Sequence, residues 1–107
     1  MPNSKAKGAD FERTIANKLR EYGFESRRGQ QYCGANGDAD VVGLPGVHIE
    51  CKAVERLNVY TAMKQSENDA RDDEVPVVVH KKNYKGILVT MRFEDWIRMY
   101  KDANLGN

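Results

Sequence analysis

The stretch that decides the fold is Gly37-Asp38-Ala39-Asp40-Val41-Val42-Gly43-Leu44-Pro45-Gly46-Val47-His48-Ile49-Glu50-Cys51-Lys52-Ala53. It reads as two strands, over 40–44 and 47–53, joined at Leu44-Pro45-Gly46, where Pro presets φ and Gly stands beside it. Strand alternation puts His48, Glu50 and Lys52 on one face and Val47, Ile49 and Cys51 on the other. The apolar set can pack on a helix. The other face then carries a carboxylate and an ammonium two residues apart, aimed the same way, while Asp38 and Asp40 stand at the start of the apolar pair Val41-Val42.

Upstream, residues 10–22 carry Phe11, Ile15, Ala16, Leu19 and Tyr22 at helical spacing, with Gly23 as a left-handed stop. Glu12 borders that stripe, where a carboxylate is costly unless it has a partner or holds a cation. A short strand is expected over 24–28, then a polar, glycine-punctuated loop over 29–37. Downstream, 58–71 reads as a helix with Val59, Ala62, Met63, Ser66 and Ala70 inside. Strands over 76–80 and 86–91 flank the basic turn Lys81-Lys82-Asn83-Tyr84-Lys85. A helix over 93–100 turns Phe93, Trp96, Ile97 and Tyr100 inward, with Trp96 as its anchor in the core. The order α-β-β-β-α-β-β-α predicts an α/β fold on a mixed sheet of about five strands flanked by helices.

The chain has 107 residues, enough for a single domain over 1–107 around one core, with 1–7 expected as a flexible basic tail. Its longest apolar run, 75–79, is interrupted by Pro76, and no apolar stretch follows Lys5 and Lys7, so neither a membrane span nor a secretory signal is expected. Cys33 and Cys51 make neither a disulfide framework nor a C-x-x-C site. A reduced, cytoplasmic protein is the expectation.

The net charge of +1 hides a segregation. Residues 1–36 hold seven Lys/Arg against four acids, 37–75 hold four against nine, and 76–107 hold six against three. An acidic middle between basic ends suits a metal-dependent enzyme acting on a polyanion; an acidic surface helix and loop would look the same.

Hydrolysing a phosphodiester requires neutralising charge on the phosphorus centre and activating a water. A divalent cation held by hard carboxylate oxygens does both, and a neighbouring Lys can orient the water or stabilise the charge. Asp40 and Glu50 from paired strands, with Glu12 from the helix across them, supply the oxygens; Lys52 is the assistant. Singly, each has a plainer reading: a surface ion pair for Glu-x-Lys, a turn residue for Asp, a solvated acid at a helix edge. Their joint occurrence, in this order within one domain, is what separates the two.

These residues resemble a known family. Gly-x-Asp before Val41-Val42, then Glu50-Cys51-Lys52, looks like the bipartite PD-(D/E)-x-K nuclease motif, with Ala39 where the name-giving Pro would stand. Lys7-Gly8-Ala9-Asp10-Phe11-Glu12-Arg13, before a helix ending at Tyr22-Gly23-Phe24, is similar to the opening of archaeal-type and phage Holliday junction resolvases, and Gly43-Leu44-Pro45-Gly46 matches the phage type. The match runs from about Lys7 to Tyr100.

The resemblance implies a restriction-endonuclease-like core and Mg²⁺ or Mn²⁺ dependence. It implies Glu12, Asp40, Glu50 and Lys52 as the catalytic set, with the cation on Asp40, Glu50 and the Cys51 backbone carbonyl, and Glu12 binding directly or through water. Asp38 could replace or supplement Asp40, and Gln65 and His48 are further site-lining candidates. It also implies a homodimer making two symmetric cuts in branched DNA during recombination.

Arg13, Arg27, Arg28 and Gln30, with Gln31 and Tyr32, and the turn lysines Lys81, Lys82 and Lys85, are candidate DNA contacts; a solvated basic loop is the plainer reading of each group. Competing functions are a nuclease or nickase of other DNA structures, a non-catalytic DNA-binding module retaining the fold, and an unrelated interaction domain.

Overall fold

The structure, a computed structural model, describes residues 4–30 and 39–106. Its elements are α1 (Ser4–Glu21), β1 (Arg27–Arg28), β2 (Val41–Val42), β3 (Val47–Ala53), α2 (Val59–Asp69), β4 (Val75–Lys81), β5 (Leu88–Met91) and α3 (Phe93–Ala103). They follow the expected order. The five strands form one sheet in chain order, antiparallel except for the parallel pair β3–β4, which α2 connects. No helix among the described residues is long and apolar enough to cross a membrane.

The sheet has a core on each face. On one, Phe11, Ile15 and Ala16 of α1 pack on Val41, Ile49, Cys51, Val77 and Val79. On the other, Ala62 and Met63 of α2 cover Val78. Glu50 pairs in register with Val78, and Ile49 and Cys51 with Val77 and Val79. The period-2 pattern of β3 is therefore read by the two helices: its apolar residues meet α1, and its His48-Glu50-Lys52 row lies on the face of α2. Asn58 caps α2, its side-chain oxygen accepting from the Thr61 N–H at 3.1 Å.

Four expectations are corrected. Helix α1 begins at Ser4, so Lys5 and Lys7 lie on a helix rather than in a flexible tail. It ends at Glu21, which leaves Tyr22 in the following turn and exposed rather than in the core. The strand expected over 24–28 shrinks to Arg27–Arg28, since β2 opposite it offers only two residues to pair with. Finally, none of the residues of α3 is buried; Trp96 is 49% exposed and anchors no core. Periodicity says that a helix face wants covering, not that this chain covers it.

Gly43 holds the β2 segment close to the chain leaving α1. Its φ is +96°, and a Cβ there would collide with the backbone of Glu25 and Ser26. Gly43→Ala is therefore expected to cost about 1–3 kcal/mol, read as a melting point several degrees lower, because backbone rather than a flexible side-chain tip must move. An unchanged melting point would show that this approach is slack.

Candidate active site

Asp40 sits at the seam of the sheet. Its N–H donates to Ile49 O at 3.0 Å, its carbonyl accepts from Gly29 N at 2.9 Å, and its Oδ2 accepts from the Cys51 N–H at 2.8 Å. The carboxyl is thus fixed between β1 and β3 and points at the strand bearing Glu50. Asp40 and Glu50 are both buried, at 8% and 5% exposure, and share a hydrogen bond. Glu12 on α1 lies close enough to add its field to Asp40.

This crowding has an electrostatic consequence. Burial pushes the Asp40 pKa up to about 6; the negative charges of Glu50 and Glu12 push the same way, against the Cys51 N–H, which holds it down. The Cys51 thiol is buried and raised far above its usual range, mainly by burial, so it is inert as a nucleophile. Lys52, half-buried, follows Glu50 by two residues on the same strand face.

His48 has a larger part than an edge residue would. It is buried, with Nε2 3.1 Å from Glu50 Oε1 and Nδ1 3.7 Å from Glu74 Oε1. Burial works to lower its pKa, but the hydrogen bond to Glu50 and the charges of Glu50, Glu74 and Asp69 outweigh that and raise it. Among the described residues, His48, Glu50 and Asp69 are the group whose donor atoms all lie within 4.8 Å of one another. Glu50 thus belongs to two neighbouring constellations: one with Asp40 and Glu12, one with His48 and Asp69.

Glu12 is already paired. Arg28 Nε donates to its Oε1 at 3.0 Å, with the Glu12 side chain largely buried. Arg28 was expected on phosphate and instead holds a site carboxylate; a separation of 16 positions gave no local signal of it. Arg13 is paired with Asp10 at 2.6 Å and Arg27 is exposed on β1. Gln65 lies on the exposed side of α2, away from the buried Ala62, Met63 and Ser66, and the structure does not bring it to the acids. Gln30 is exposed at the end of the described segment, and Asp38, Gln31, Tyr32 and Cys33 lie outside the described residues.

A basic cleft lies between α1 and the β4–β5 turn. Lys81, Lys82 and Lys85 line it together with Lys7 and Lys18. Asn83 N donates to Glu55 Oε2 at 2.6 Å, tying this turn to the segment that leaves β3. Lys18 was missed, although Lys7, Thr14 and Lys18 recur at one-face helical spacing.

The donor set fits a hard divalent cation. Three carboxylates converge where one already holds its proton up to about pH 6, and a cation would relieve that repulsion with oxygen ligands.

Comparison with known proteins gives the family and the fold. The family model described as "Phage putative PDDEXK endonuclease" matches residues 3–105. Among solved structures, that of Hjc from Archaeoglobus fulgidus, a Holliday junction resolvase from an archaeal hyperthermophile, is similar at 22% identity with a TM-score of 0.58; the match covers 79% of this chain and 72% of that one. A search of curated proteins finds no match. The five-stranded mixed sheet with its flanking helices is the restriction-endonuclease-like core.

Proposed function

Since this chain belongs to the phage PDDEXK endonuclease family, we propose that it is a metal-dependent endodeoxyribonuclease selective for branched DNA, of the Holliday junction resolvase type. The observation that carries the reading is the placement of Asp40 against Glu50, with Glu12 beside them and Lys52 two residues on. A single module that only bound DNA would gain by losing buried acids that repel phosphates and each other.

Asp40 and Glu50 would hold Mg²⁺ or Mn²⁺, with the Cys51 carbonyl as a further oxygen and Glu12 joining directly or through water. The bound ion supplies Lewis-acid neutralisation of the phosphate and a more acidic water. Lys52 would orient the attacking water and stabilise the charge that builds on the phosphate oxygens. Water would add at phosphorus and lose a proton to solvent as the P–O3′ bond breaks, and the leaving 3′-oxygen would take a proton from solvent, giving a 5′-phosphate and a 3′-hydroxyl. Arg28 holds Glu12 in reserve. His48 fixes the Glu50 carboxylate through the 3.1 Å contact.

The lysine cleft holds the DNA backbone, so affinity is expected to fall steeply with salt. Changing Lys81, Lys82 and Lys85 together to Ala should weaken binding at least tenfold and flatten the salt dependence, without altering where the strands are cut. An unchanged salt slope would move the DNA to another face.

Two incisions in a four-way junction need two copies, since one chain of this size carries one such site. Hjc is described as a Holliday junction resolvase, and this chain shares its fold. The phage family points to a role in recombination or genome processing in an infected cell. The deciding experiment compares an immobile four-way junction with linear duplex, flap and single strand at matched salt. Paired symmetric nicks confined to the junction are expected; equal cutting of linear duplex would leave a nuclease without junction selectivity.

A further inference from the structure

The turn between β4 and β5 contains Lys82-Asn83-Tyr84-Lys85-Gly86. Lys85 N donates to Lys82 O at 3.2 Å and closes it, which puts Tyr84 at its third position with a φ of +62°. Gly or Asn adopts a positive φ there at little cost, whereas a bulky side chain adopts it only under strain. Asn83 and Gly86 stand one and two residues away, yet Tyr takes the strained place. The ring gains no packing in return, since it is fully exposed, at 101%. Nor is the turn slack: the Asn83 N–H donates to Glu55 Oε2 at 2.6 Å. An aromatic ring is therefore held out in solvent, at a cost to the fold, on a tethered turn.

We propose that Tyr84 is a stacking site for an unpaired nucleobase, and that through it the protein prefers branched to linear DNA. Two observations select that ligand. The first is charge. Lys81, Lys82 and Lys85 flank the ring, and no acid stands between His80 and Gly86. Asn83 and Lys85, on either side of Tyr84, line the lysine cleft. An aromatic face among cations that hold the neighbouring phosphates is how single-stranded nucleic acid is gripped. The ring has no apolar neighbour between His80 and Gly86 that would suit the turn to a lipid surface.

The second is position. Strands β3 and β4 are parallel, with Lys52 beside His80 and Ala53 beside Lys81, so the turn leaves the sheet at the end of β3 that carries Lys52. Tyr84 follows Lys81 by three residues, which keeps its Cα within about 16 Å of that of Ala53. That distance is the rise of about five base steps. A phosphate at Asp40 and Glu50 and a base on Tyr84 can thus belong to one strand. In linear duplex every base is stacked on both sides and offers the ring no face. At a branch the stack is broken and a face is open, whereas lysines hold the phosphates of both forms alike. The inference rests on the nuclease reading for its substrate, but its test reads binding without cleavage.

The full chain in EDTA is titrated into a duplex with one bulged 2-aminopurine, an immobile four-way junction and a linear duplex. The wild type should quench the 2-aminopurine. Tyr84→Gly should lose the quench and bind the bulge and the junction about tenfold more weakly, with linear-duplex affinity unchanged. It should melt no lower than the wild type, because Gly adopts this φ freely. Tyr84→Asn, which also tolerates this φ, repeats the test if the glycine variant does not fold. Tyr84→Phe keeps the ring and should quench and bind as the wild type does. An equal loss on linear duplex would overturn the proposal in favour of a backbone contact. A loss in Tyr84→Phe as large as in Tyr84→Gly would overturn it in favour of the hydroxyl, and unchanged quench and branch binding in Tyr84→Gly would overturn it outright. A wild type that quenches the bulge without nicking the junction in Mg²⁺ refutes the nuclease reading alone; one that nicks and does not quench refutes the stacking alone.

Discussion

Replacing Lys52 with Ala is expected to slow cleavage of a four-way junction by about 10²–10³-fold while leaving junction affinity within twofold. Lys52 follows Glu50 on β3, at a half-buried position where a charge acts through less water than at the surface. Losing it removes a positive charge that matters most when the phosphate is five-coordinate, so the deficit belongs to turnover rather than binding. Single-turnover rates with saturating enzyme separate the two. A variant that cuts at the wild-type rate would exclude Lys52 from the chemistry; one that fails only to bind would make it a backbone contact.

Asp40→Asn is expected to abolish metal-dependent cleavage and, in the same protein, to raise the stability of the metal-free fold. Asn keeps an oxygen to accept from the Cys51 N–H and adds an amide donor toward Glu50, while removing a buried negative charge. The sign follows from linkage. The Asp40 pKa is about 6 in the fold against 3.8 for the free group, so the folded chain binds its proton more tightly. This group's contribution is therefore fully favourable below about pH 4, declines as pH rises towards 6, and stays lost above it, by about 2–3 kcal/mol. The variant should recover much of that at pH 7, melting several degrees higher, and its advantage should vanish near pH 4. In the wild type, Mg²⁺ or Mn²⁺ should close the same gap. An Asp40→Asn variant that melts lower at pH 7 would mean that Asp40 is a structural acceptor and not a strained ligand.

The sequence carried much of this because the deciding signals are local. Strand β3 has the expected bounds, 47–53, since period-2 alternation between two covering helices leaves little freedom in register. The pairing of Asp40 with Glu50 was legible as acids at the start of one strand and the middle of the next. Long-range pairings were not. The Arg28–Glu12 contact joins residues 16 apart through tertiary packing, and the Arg92–Glu67 fork joins residues 25 apart. Surroundings of His48 were missed for the same reason, since Asp69 and Glu74 reach it from the end of α2 and the segment after it. Helix α3 failed in the opposite way: its stripe was read correctly and assigned to a core that does not cover it.

The most direct test of the central claim, that Asp40 and Glu50 build the cation site, is a calorimetric Mn²⁺ titration of wild type, Asp40→Asn, Glu50→Gln and Asp69→Asn. Glu50 belongs to both candidate constellations, so the other two variants decide between them. The arrangement described here predicts binding that is lost in Asp40→Asn and Glu50→Gln and kept in Asp69→Asn. Binding kept in Asp40→Asn and lost in Asp69→Asn would contradict it and move the ion to His48, Glu50 and Asp69.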